Sequence, residues 1–471
     1  SILNDFTRTV HILYMPYTDS AAGIGYSKAV AKEKSLLPPV SNCVWAARKG
    51  RSKVTKEFRK TVRLLPQQKG TYVDVPFEVE PGVRSLTMRV EYPMVFPKCV
   101  VQPALYGPNG LRGCCAVQKT GCTVSAEFAS PGFQAAPIEP GRWRVALSVA
   151  AMQEETEVSV CIAMEPEAPA WYKADLHLHS CHSDGGYTAQ ETVELCRDAG
   201  LDIIALTDHN SVTQNVFCKT EEGLLRMPGY EWTTRLGHAN FIGVEKPVRD
   251  FASPTVEDAK RILREAHDNG ALVVLNHPGD RLGGWKVGTD DIPFDAYEIW
   301  NGPWRDTNDQ SLALWQEMLA QGRRIPAVGG SDTHRVIAAT KHGHPCNHLY
   351  VRRFAMDAVL EAIRAGHCYL TRTPGDGPVE LRVNEAMMGD TAAEAPRYEL
   401  HFEACGLSCG DEILLISEQG LVRKWTASVS CERRTLEVPP AFFYRLEVRR
   451  PSLRGGQPIV ITNPVYLAGS R

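Results

Sequence analysis

From Thr71 onward, apolar and polar residues alternate in short runs that are separated by Pro and Gly. The clearest of these runs cover residues 72–79, 85–92, 142–149 and 156–163. A period of two is typical of strands that bury one face and expose the other. The pattern therefore predicts an antiparallel β-sandwich within an N-terminal β-rich domain, residues 1–168.

A different pattern begins after a linker rich in Pro and Glu at residues 165–169. Strand-like apolar runs, such as residues 202–206, now alternate with helix-like runs, such as residues 256–269. This alternation is typical of α/β folds, in which helices cover a largely parallel sheet. It predicts an α/β domain over residues 169–376, built as a barrel or as a doubly wound sheet.

The pattern changes again after about Gly377, where strand-like runs return and predict a small C-terminal β domain, residues 377–471. A chain of 471 residues is too long for one ordinary core, which agrees with several domains. Its net charge of -3 gives no general attraction to nucleic acid or to anionic membranes. Any preference for an anionic substrate must come from a local site.

The sequence contains no run of about 18 uncharged apolar residues, and residues 1–14 lack the pattern of an export signal. The 14 cysteines are scattered irregularly and do not form the spacing of a disulfide framework. These features predict a soluble, cytoplasmic protein with no membrane partner and no dedicated nucleic-acid binding. A homo-oligomer is compatible with the sequence, which does not fix the oligomeric state.

Eleven of the 14 histidines lie between His177 and His348, a density beyond what packing requires. His177 and His179 are two residues apart on a predicted strand, so their side chains leave the same face and can hold one ion together. Further candidate site residues follow the ends of predicted strands: Asp184, Asp208, His209, His277, Asp332 and His334. Asp208 is not assigned as a ligand. Sites in α/β folds are assembled at these carboxyl ends.

Glu231 and His238 flank the turn between two further predicted strands and complete a mixed set of carboxylates and imidazoles. Imidazole suits Zn, Fe, Ni or Mn, and a carboxylate can bridge two cations, so more than one metal is expected. Other histidines are expected at surface, supporting or structural positions instead: His182, His267, His342, His344 and His348.

In combination, these motifs resemble those of the PHP superfamily, named for polymerase and histidinol phosphatase. The chain contains, in the family order, Asp-Leu-His-Leu-His-Ser-x-x-Ser-Asp-Gly, Leu-Thr-Asp-His-Asn, Gly-Tyr-Glu, His-Ala-Asn-Phe-Ile-Gly, Asn-His-Pro, Trp-Asn-Gly and Gly-Ser-Asp-Thr-His. The resemblance covers roughly residues 171–383 and is to the branch of phosphoesterases and carbaryl-hydrolase-like metallohydrolases. It implies a distorted (β/α)7 barrel with two or three divalent ions, Zn, Mn or Fe.

The resemblance also implies which residues bind these metals. The ligands of a first ion would be His177, His179, Glu231 and Asp332. Glu231 would bridge to a second ion that is held by His238 and His277. A third ion would be held by Asp184, His209 and His334, with Asp184 standing where several relatives have a His. Asp208 is expected to orient a neighbouring His through its second ring nitrogen.

Metals in this arrangement activate water, so no protein nucleophile is needed, and phosphoester hydrolysis is the first hypothesis. His209 or Asp208 is expected to donate a proton to the leaving group, and Arg335 is a candidate contact to the phosphate. Other cationic candidates follow the motif strands: Arg281, Lys286, Arg305 and Arg372. The expected partner is a small, phosphorylated molecule.

Two alternatives stay open at this stage. Trp285, Trp300 and Trp304 could line a pocket for an apolar leaving group, which would suit hydrolysis of a carboxylic ester, amide or carbamate. Burial of these side chains in the core is an equally good explanation. The remaining hypothesis is a binding or scaffold protein whose metals are structural.

Overall fold

A computed structural model describes residues 56–96, 98–218, 220, 223–452 and 456–469. The first part of the predicted N-terminal domain, residues 1–55, lies outside these residues. Within the described part, no helix is long and apolar enough to cross a membrane.

Two four-stranded antiparallel sheets occupy the N-terminal part of the described chain, in the orders β1-β8-β3-β6 and β2-β7-β4-β5. Their strands, with a short 3-10 helix at Pro66–Gln68, are β1 (Lys56–Leu64), β2 (Tyr72–Val79), β3 (Val83–Glu91), β4 (Cys99–Gly107), β5 (Gly110–Cys114), β6 (Gly121–Ser125), β7 (Gly141–Met152) and β8 (Thr156–Pro166). Buried side chains from both sheets form one shared core, in which Trp143 of β7 and Leu86 of β3 are almost inaccessible to solvent. The two sheets therefore pack as a sandwich.

The middle of the chain contains ten strands and four helices. The strands are β9 (Ala170–Asp175), β10 (Ile203–Ala205), β11 (Leu225–Met227), β12 (Gly229–Thr234), β13 (Gly237–Ile242), β14 (Leu272–Leu275), β15 (Ala296–Asn301), β16 (Ala327–Gly330), β17 (Cys346–Val351) and β18 (Cys368–Thr371). The helices are α1 (Ala189–Asp198), α2 (Val256–Asp268), α3 (Asp306–Ala320) and α4 (Met356–Ala365), and a 3-10 helix covers Thr213–Phe217.

The predicted (β/α)7 barrel is wrong. The described chain is mostly strand, and the middle strands are divided between two sheets, one containing β11-β10-β9-β17-β18 and the other β12-β13-β14-β15-β16. A (β/α) barrel needs parallel strands with a helix after each one, whereas β12 and β13 form an antiparallel hairpin and β17 runs antiparallel to both of its neighbours. Only two residues separate β12 from β13, and Gly237 supplies the positive φ of 134° at this turn, so no helix can follow β12.

The predicted small C-terminal β domain is also corrected by the structure. Its strands are β19 (Val379–Val383), β20 (Ala386–Met387), β21 (Thr391–Ala392), β22 (Tyr398–Cys405), β23 (Glu412–Ser417), β24 (Gly420–Thr426), β25 (Cys431–Val438), β26 (Phe443–Arg450), β27 (Gln457–Thr462) and β28 (Val465–Leu467). β19, β20, β22 and β25 form a separate four-stranded sheet, but β27 pairs with β18 and extends the first middle sheet through β26, β23 and β24. The apolar runs of these C-terminal strands thus complete a core that begins before residue 377.

Paired contacts fix this junction. Asn463 donates from Nδ2 to the carbonyls of Ala327 and Cys368 and accepts the amide of Ala327. Ile461 and Phe443 belong to the same buried cluster as the middle strands. The domain boundaries at residues 168 and 376 stay predictions.

The cysteines give one covalent link. Cys405 and Cys431 face each other on β22 and β25 and are joined as a disulfide, while the other described cysteines are free. The cytoplasmic location stays a prediction.

Candidate metal centre

The two middle sheets meet at a single end through isolated parallel bridges. Leu178, just after β9, pairs with Thr333, just after β16, and His209, just after β10, pairs with Glu231 of β12. Each bridge brings the residues that follow one sheet against those of the other. Side chains predicted as ligands on different strands are therefore collected at this end.

Glu231 lies at the centre of the cluster and is fully buried. Five imidazole nitrogens surround its carboxylate at distances of 3.4 Å for His177, 3.5 Å for His179, 2.7 Å for His209, 3.1 Å for His238 and 3.4 Å for His277. Oε1 faces His177, His238 and His277, whereas Oε2 faces His179 and His209. The two oxygens thus contact two different groups of candidate ligands, as the oxygens of a bridging carboxylate do.

Asp332 completes the buried half of the cluster. Its Oδ1 lies 3.0 Å from His179 Nε2 and 3.5 Å from His177 Nε2. The backbone of Asp332 has a positive φ of 50°, and that of His277 has a φ of 29°. Positive φ is uncommon for residues other than Gly, and such strain often accompanies functional sites.

A third group lies on the more open side. Asp184 Oδ1 is 3.1 Å from His334 Nε2 and 3.6 Å from His209 Nε2. The Asp184 side chain is 61% exposed, whereas those of His209 and His334 are 23% and 34% exposed. All nine predicted ligands therefore fall into four overlapping sets whose ligand atoms lie within 4.8 Å of one another.

The polar atoms of this cluster fit metal ions better than they fit one another. Six buried atoms form no hydrogen bond of good geometry within the described chain: His177 Nε2, His179 Nδ1 and Nε2, Glu231 Oε2, His277 Nδ1 and Asp332 Oδ1. Some of them lie only within ion-pair distance of another cluster atom, as His179 Nε2 and Asp332 Oδ1 do at 3.0 Å. An orphaned buried polar atom costs roughly 1–3 kcal/mol, so six of them together need a compensating partner. Clustered imidazole and carboxylate groups are the donors that Zn, Mn and Fe prefer.

Charge pairing keeps the carboxylates of the cluster ionised. Burial raises the pKa of Glu231 and of Asp332, but the charge of His177 together with hydrogen bonds from the surrounding histidines outweighs this effect, and the pKa of each carboxyl lies well below its usual range. Burial lowers the pKa of His177, whereas the charges of Asp332, Glu298 and Glu231 raise it well above the ordinary value. The carboxylates are thus in the form that metal binding requires, and a metal would displace the proton of His177 when it binds.

The structure also places residues that the sequence analysis did not assign. Glu298 of β15 is buried and its Oε1 lies 2.9 Å from His177 Nδ1. Asn276 donates to Glu231 Oε1 at 2.8 Å, and Asn301 donates to Asp332 Oδ2 at 3.1 Å. Asn276 and Asn301 belong to quoted motifs, and Glu298 is the one charge within the apolar strand Tyr-Glu-Ile-Trp, which is the signal that could have revealed it.

Asp208 has a different set of contacts from the one predicted. Its carboxylate accepts hydrogen bonds at 2.8 Å from the backbone amide and hydroxyl of Ser180 and from the hydroxyl of Ser183. These bonds hold the turn that carries Asp184, whereas His209 Nδ1 is 2.6 Å from the hydroxyl of Thr233. A catalytic role for Asp208 or His209 stays a prediction.

The cationic candidates differ in position. Arg335 is exposed and lies across Gly186, where an added Cβ would come within 2.8 Å of the guanidinium Nε. Arg305 donates to Asn301 Oδ1 at 2.8 Å, and Asn301 in turn bonds to Asp332. Arg372 instead pairs with Asp376 at 3.2 Å. Arg335 and Arg305 are therefore the two of these three that approach the cluster.

The remaining candidates are mostly buried. Trp285 and Trp300 are 7% and 1% exposed, and the indole of each donates to a backbone carbonyl. His348 is 5% exposed and stacks on Tyr369, with ring centroids 4.5 Å apart. The rings of Trp285, Trp300 and His348 are therefore part of the core. For these two tryptophans, this agrees with burial in the core rather than with a substrate pocket.

Comparison with known families supports the interpretation of this cluster. The model of a family described as the PHP domain matches residues 175–279, which include seven of the nine clustered ligands. Asp332 and His334 lie beyond the matched segment, and the fold brings them to the same cluster as the ligands within it.

Individual relatives of this chain are distant in sequence. An uncharacterized protein of Methanocaldococcus jannaschii is 24% identical over 30% of this chain and 89% of its own length. A two-domain protein from Bacteroides vulgatus, containing a predicted PHP-like metal-dependent phosphoesterase, is 18% identical over 63% of this chain and 97% of its own, with a TM-score of 0.37. An amidohydrolase from Chromobacterium violaceum is 15% identical over 36% of this chain and 90% of its own, with a TM-score of 0.28.

Proposed function

We propose that this chain is a metal-dependent hydrolase that cleaves phosphoesters of small molecules. The observation that carries the proposal is the position of Glu231, a buried carboxylate within 3.5 Å of five imidazole nitrogens. Such a donor set fits two or three divalent ions, which when bound supply an activated water and neutralise charge that builds on the substrate oxygens.

The protein's own residues divide the remaining tasks. The set of His177, His179 and Glu231, all fully buried, would hold ions on the inner side, where solvent is excluded. Asp184, His209 and His334 lie on the open side, from which a substrate can approach. His209 or His334 could pass a proton to the leaving group only when it is not occupied as a ligand.

The surroundings favour a phosphoester over a carboxylic ester, amide or carbamate. Arg335 and Arg305 are exposed cations beside the cluster, and the planar guanidinium group matches the oxygens of a phosphate. Two of the three tryptophans that would have suited an apolar leaving group, Trp285 and Trp300, are 7% and 1% exposed, whereas Trp304 is partly buried. The second hypothesis thus loses much of its support, while the chemistry of the metals is common to both.

Three model substrates test the proposal: p-nitrophenyl phosphate, bis-p-nitrophenyl phosphate and p-nitrophenyl acetate, each with protein loaded with Zn²⁺, Mn²⁺ or Fe²⁺. We expect turnover of at least one phosphate ester, and an increase in KM of about tenfold in Arg335→Gln because one charged hydrogen bond to the phosphate is lost. Arg397→Gln is a matched control, since Arg397 is 79% exposed and pairs with Glu437, a residue outside the candidate metal centre. Turnover of the acetate alone would refute the phosphoesterase assignment, and metal binding without any turnover would favour a scaffold.

A further inference from the structure

Glu298 is a buried carboxylate that contacts the metal centre without belonging to its ligand sets. It is 2% exposed and lies on β15, a strand in which every residue is buried. An ionised carboxylate in such a position is unfavourable unless several polar groups compensate it. Its contacts show which groups do so.

Both oxygens of Glu298 contact groups that organise the centre. Oε1 lies 2.9 Å from His177 Nδ1. Oε2 accepts the backbone amide of His277 at 2.7 Å and Nδ2 of Asn301 at 3.2 Å. The same Asn301 nitrogen lies 3.1 Å from Asp332 Oδ2. One side chain therefore links residues at the ends of three other strands.

The contact of Glu298 with His177 determines which nitrogen of the imidazole ring carries the proton. If Nδ1 carries the proton and donates it to Glu298, then Nε2 has a free lone pair. Nε2 is the atom that faces Glu231 and Asp332 at 3.4 and 3.5 Å, and it has no hydrogen-bond partner within the described chain. A carboxylate behind a ligating imidazole also increases the basicity of the ligand.

The contact to His277 acts through the backbone. His277 has the strained φ of 29°, and Glu298 accepts the amide of that same residue. This bond offsets part of the cost of the strained conformation, which directs the imidazole toward Glu231. His177 and His277 belong to different strands, so both rings depend on one carboxylate.

We propose that Glu298 is a positioning residue that sets the metal affinity of the centre by orienting His177 and His277 together. The proposal rests on the metal centre of the proposed function and not on which bond is cleaved. It concerns a residue that neither the motifs nor the ligand sets include.

The test compares Glu298→Gln with the wild-type chain in metal-free form, by competition for Zn²⁺ against a chromophoric chelator. Glutamine keeps the shape of the side chain but removes its charge, so we expect Zn²⁺ binding to weaken by about 10- to 100-fold. The matched control is Glu432→Gln, because Glu432 is also a buried glutamate, 4% exposed, and its contacts are with Ser428 and Arg434. The control should bind Zn²⁺ like the wild type.

A second measurement separates positioning from a merely structural role. The electronic spectrum of the Co²⁺-loaded chain reports ligand geometry, and we expect its bands to change in Glu298→Gln but not in the control. Glu298→Asp restores the charge on a shorter side chain and should recover part of the affinity, which keeps the test decisive if Glu298→Gln does not fold. Affinity within threefold of wild type together with an unchanged spectrum would overturn the proposal. A wild-type chain that binds metal but hydrolyses no ester would refute the proposed function and leave this inference standing.

Discussion

Replacing Glu231 with Gln should dismantle the metal centre, because this one carboxylate faces both the His177 side and the His209 side of the cluster. Its Oε1 is 3.4 Å from His177 Nε2. A cation held by both residues would be no farther from the carboxylate than that, so for unit charges and an effective dielectric constant of about 20 Coulomb's law gives at least about 5 kcal/mol. That energy corresponds to an affinity loss of more than about a thousandfold.

The assay is element-resolved metal content after dialysis against a buffer with a fixed, micromolar concentration of free Zn²⁺. We expect wild type to retain two or three ions per chain and Glu231→Gln to retain fewer than one, with hydrolysis falling in parallel. Glu432→Gln controls for the general effect of neutralising a buried glutamate. If Glu231→Gln kept the wild-type metal content, the assignment of Glu231 as a shared ligand would be wrong.

Three further outcomes are expected. Chelation with EDTA should lower the melting temperature by several degrees, because ions present at about a thousand times their Kd stabilise the folded state by about 4 kcal/mol. An unchanged melting temperature would mean that no ion is bound. Gly283→Val should weaken the binding of Zn²⁺ in a titration, since even its Cβ would lie 3.1 Å from His238 and 3.2 Å from His277. Gly375→Ala is the control, because there is space for a Cβ at that position and Zn²⁺ binding should not change. Burial lowers the pKa of His348 from 6.5 to about 3. Between these two pH values only the unfolded chain takes up the proton, so the free energy of unfolding should fall by up to about 1.4 kcal/mol for each pH unit of acidification. His348→Phe should therefore show a shallower loss of stability when urea unfolding is measured between pH 4 and 6.

The residues of the candidate cluster could be identified from the sequence because a metal site would depend on specific side chains at the ends of strands, and their roles as ligands stay predictions. His177 and His179 were identified by their spacing of two, and the structure brings both to Glu231. Asp332 lies 155 positions after His177 in the sequence, yet both belong to the same set of candidate ligands. The residues supporting the ligands were harder to predict, since a single Glu within an apolar strand gives no indication of its partner.

The architecture was predicted less well, because hydrophobic periodicity reports which residues are buried and not how strands pair. The sequence predicted a turn around Glu231 and His238 but not the strands that contain them, whereas the structure places Glu231 on β12 and His238 on β13 and joins the two strands as a hairpin. The apolar run of β27 does not reveal that its neighbour is β18. Sheet membership depends on contacts between distant residues, which a local pattern does not contain.

The pairing of β18 with β27 has a consequence for anyone who wishes to produce the predicted domain of residues 169–376 alone. A fragment ending at residue 376 would leave β18 as an exposed edge, with the carbonyl of Cys368 deprived of its bonds from Asn463. It would also lack Phe443 and Ile461, which fill the core behind the middle strands. Such a fragment would tend to aggregate through that edge, so the smallest useful unit for studying the metals extends through β28.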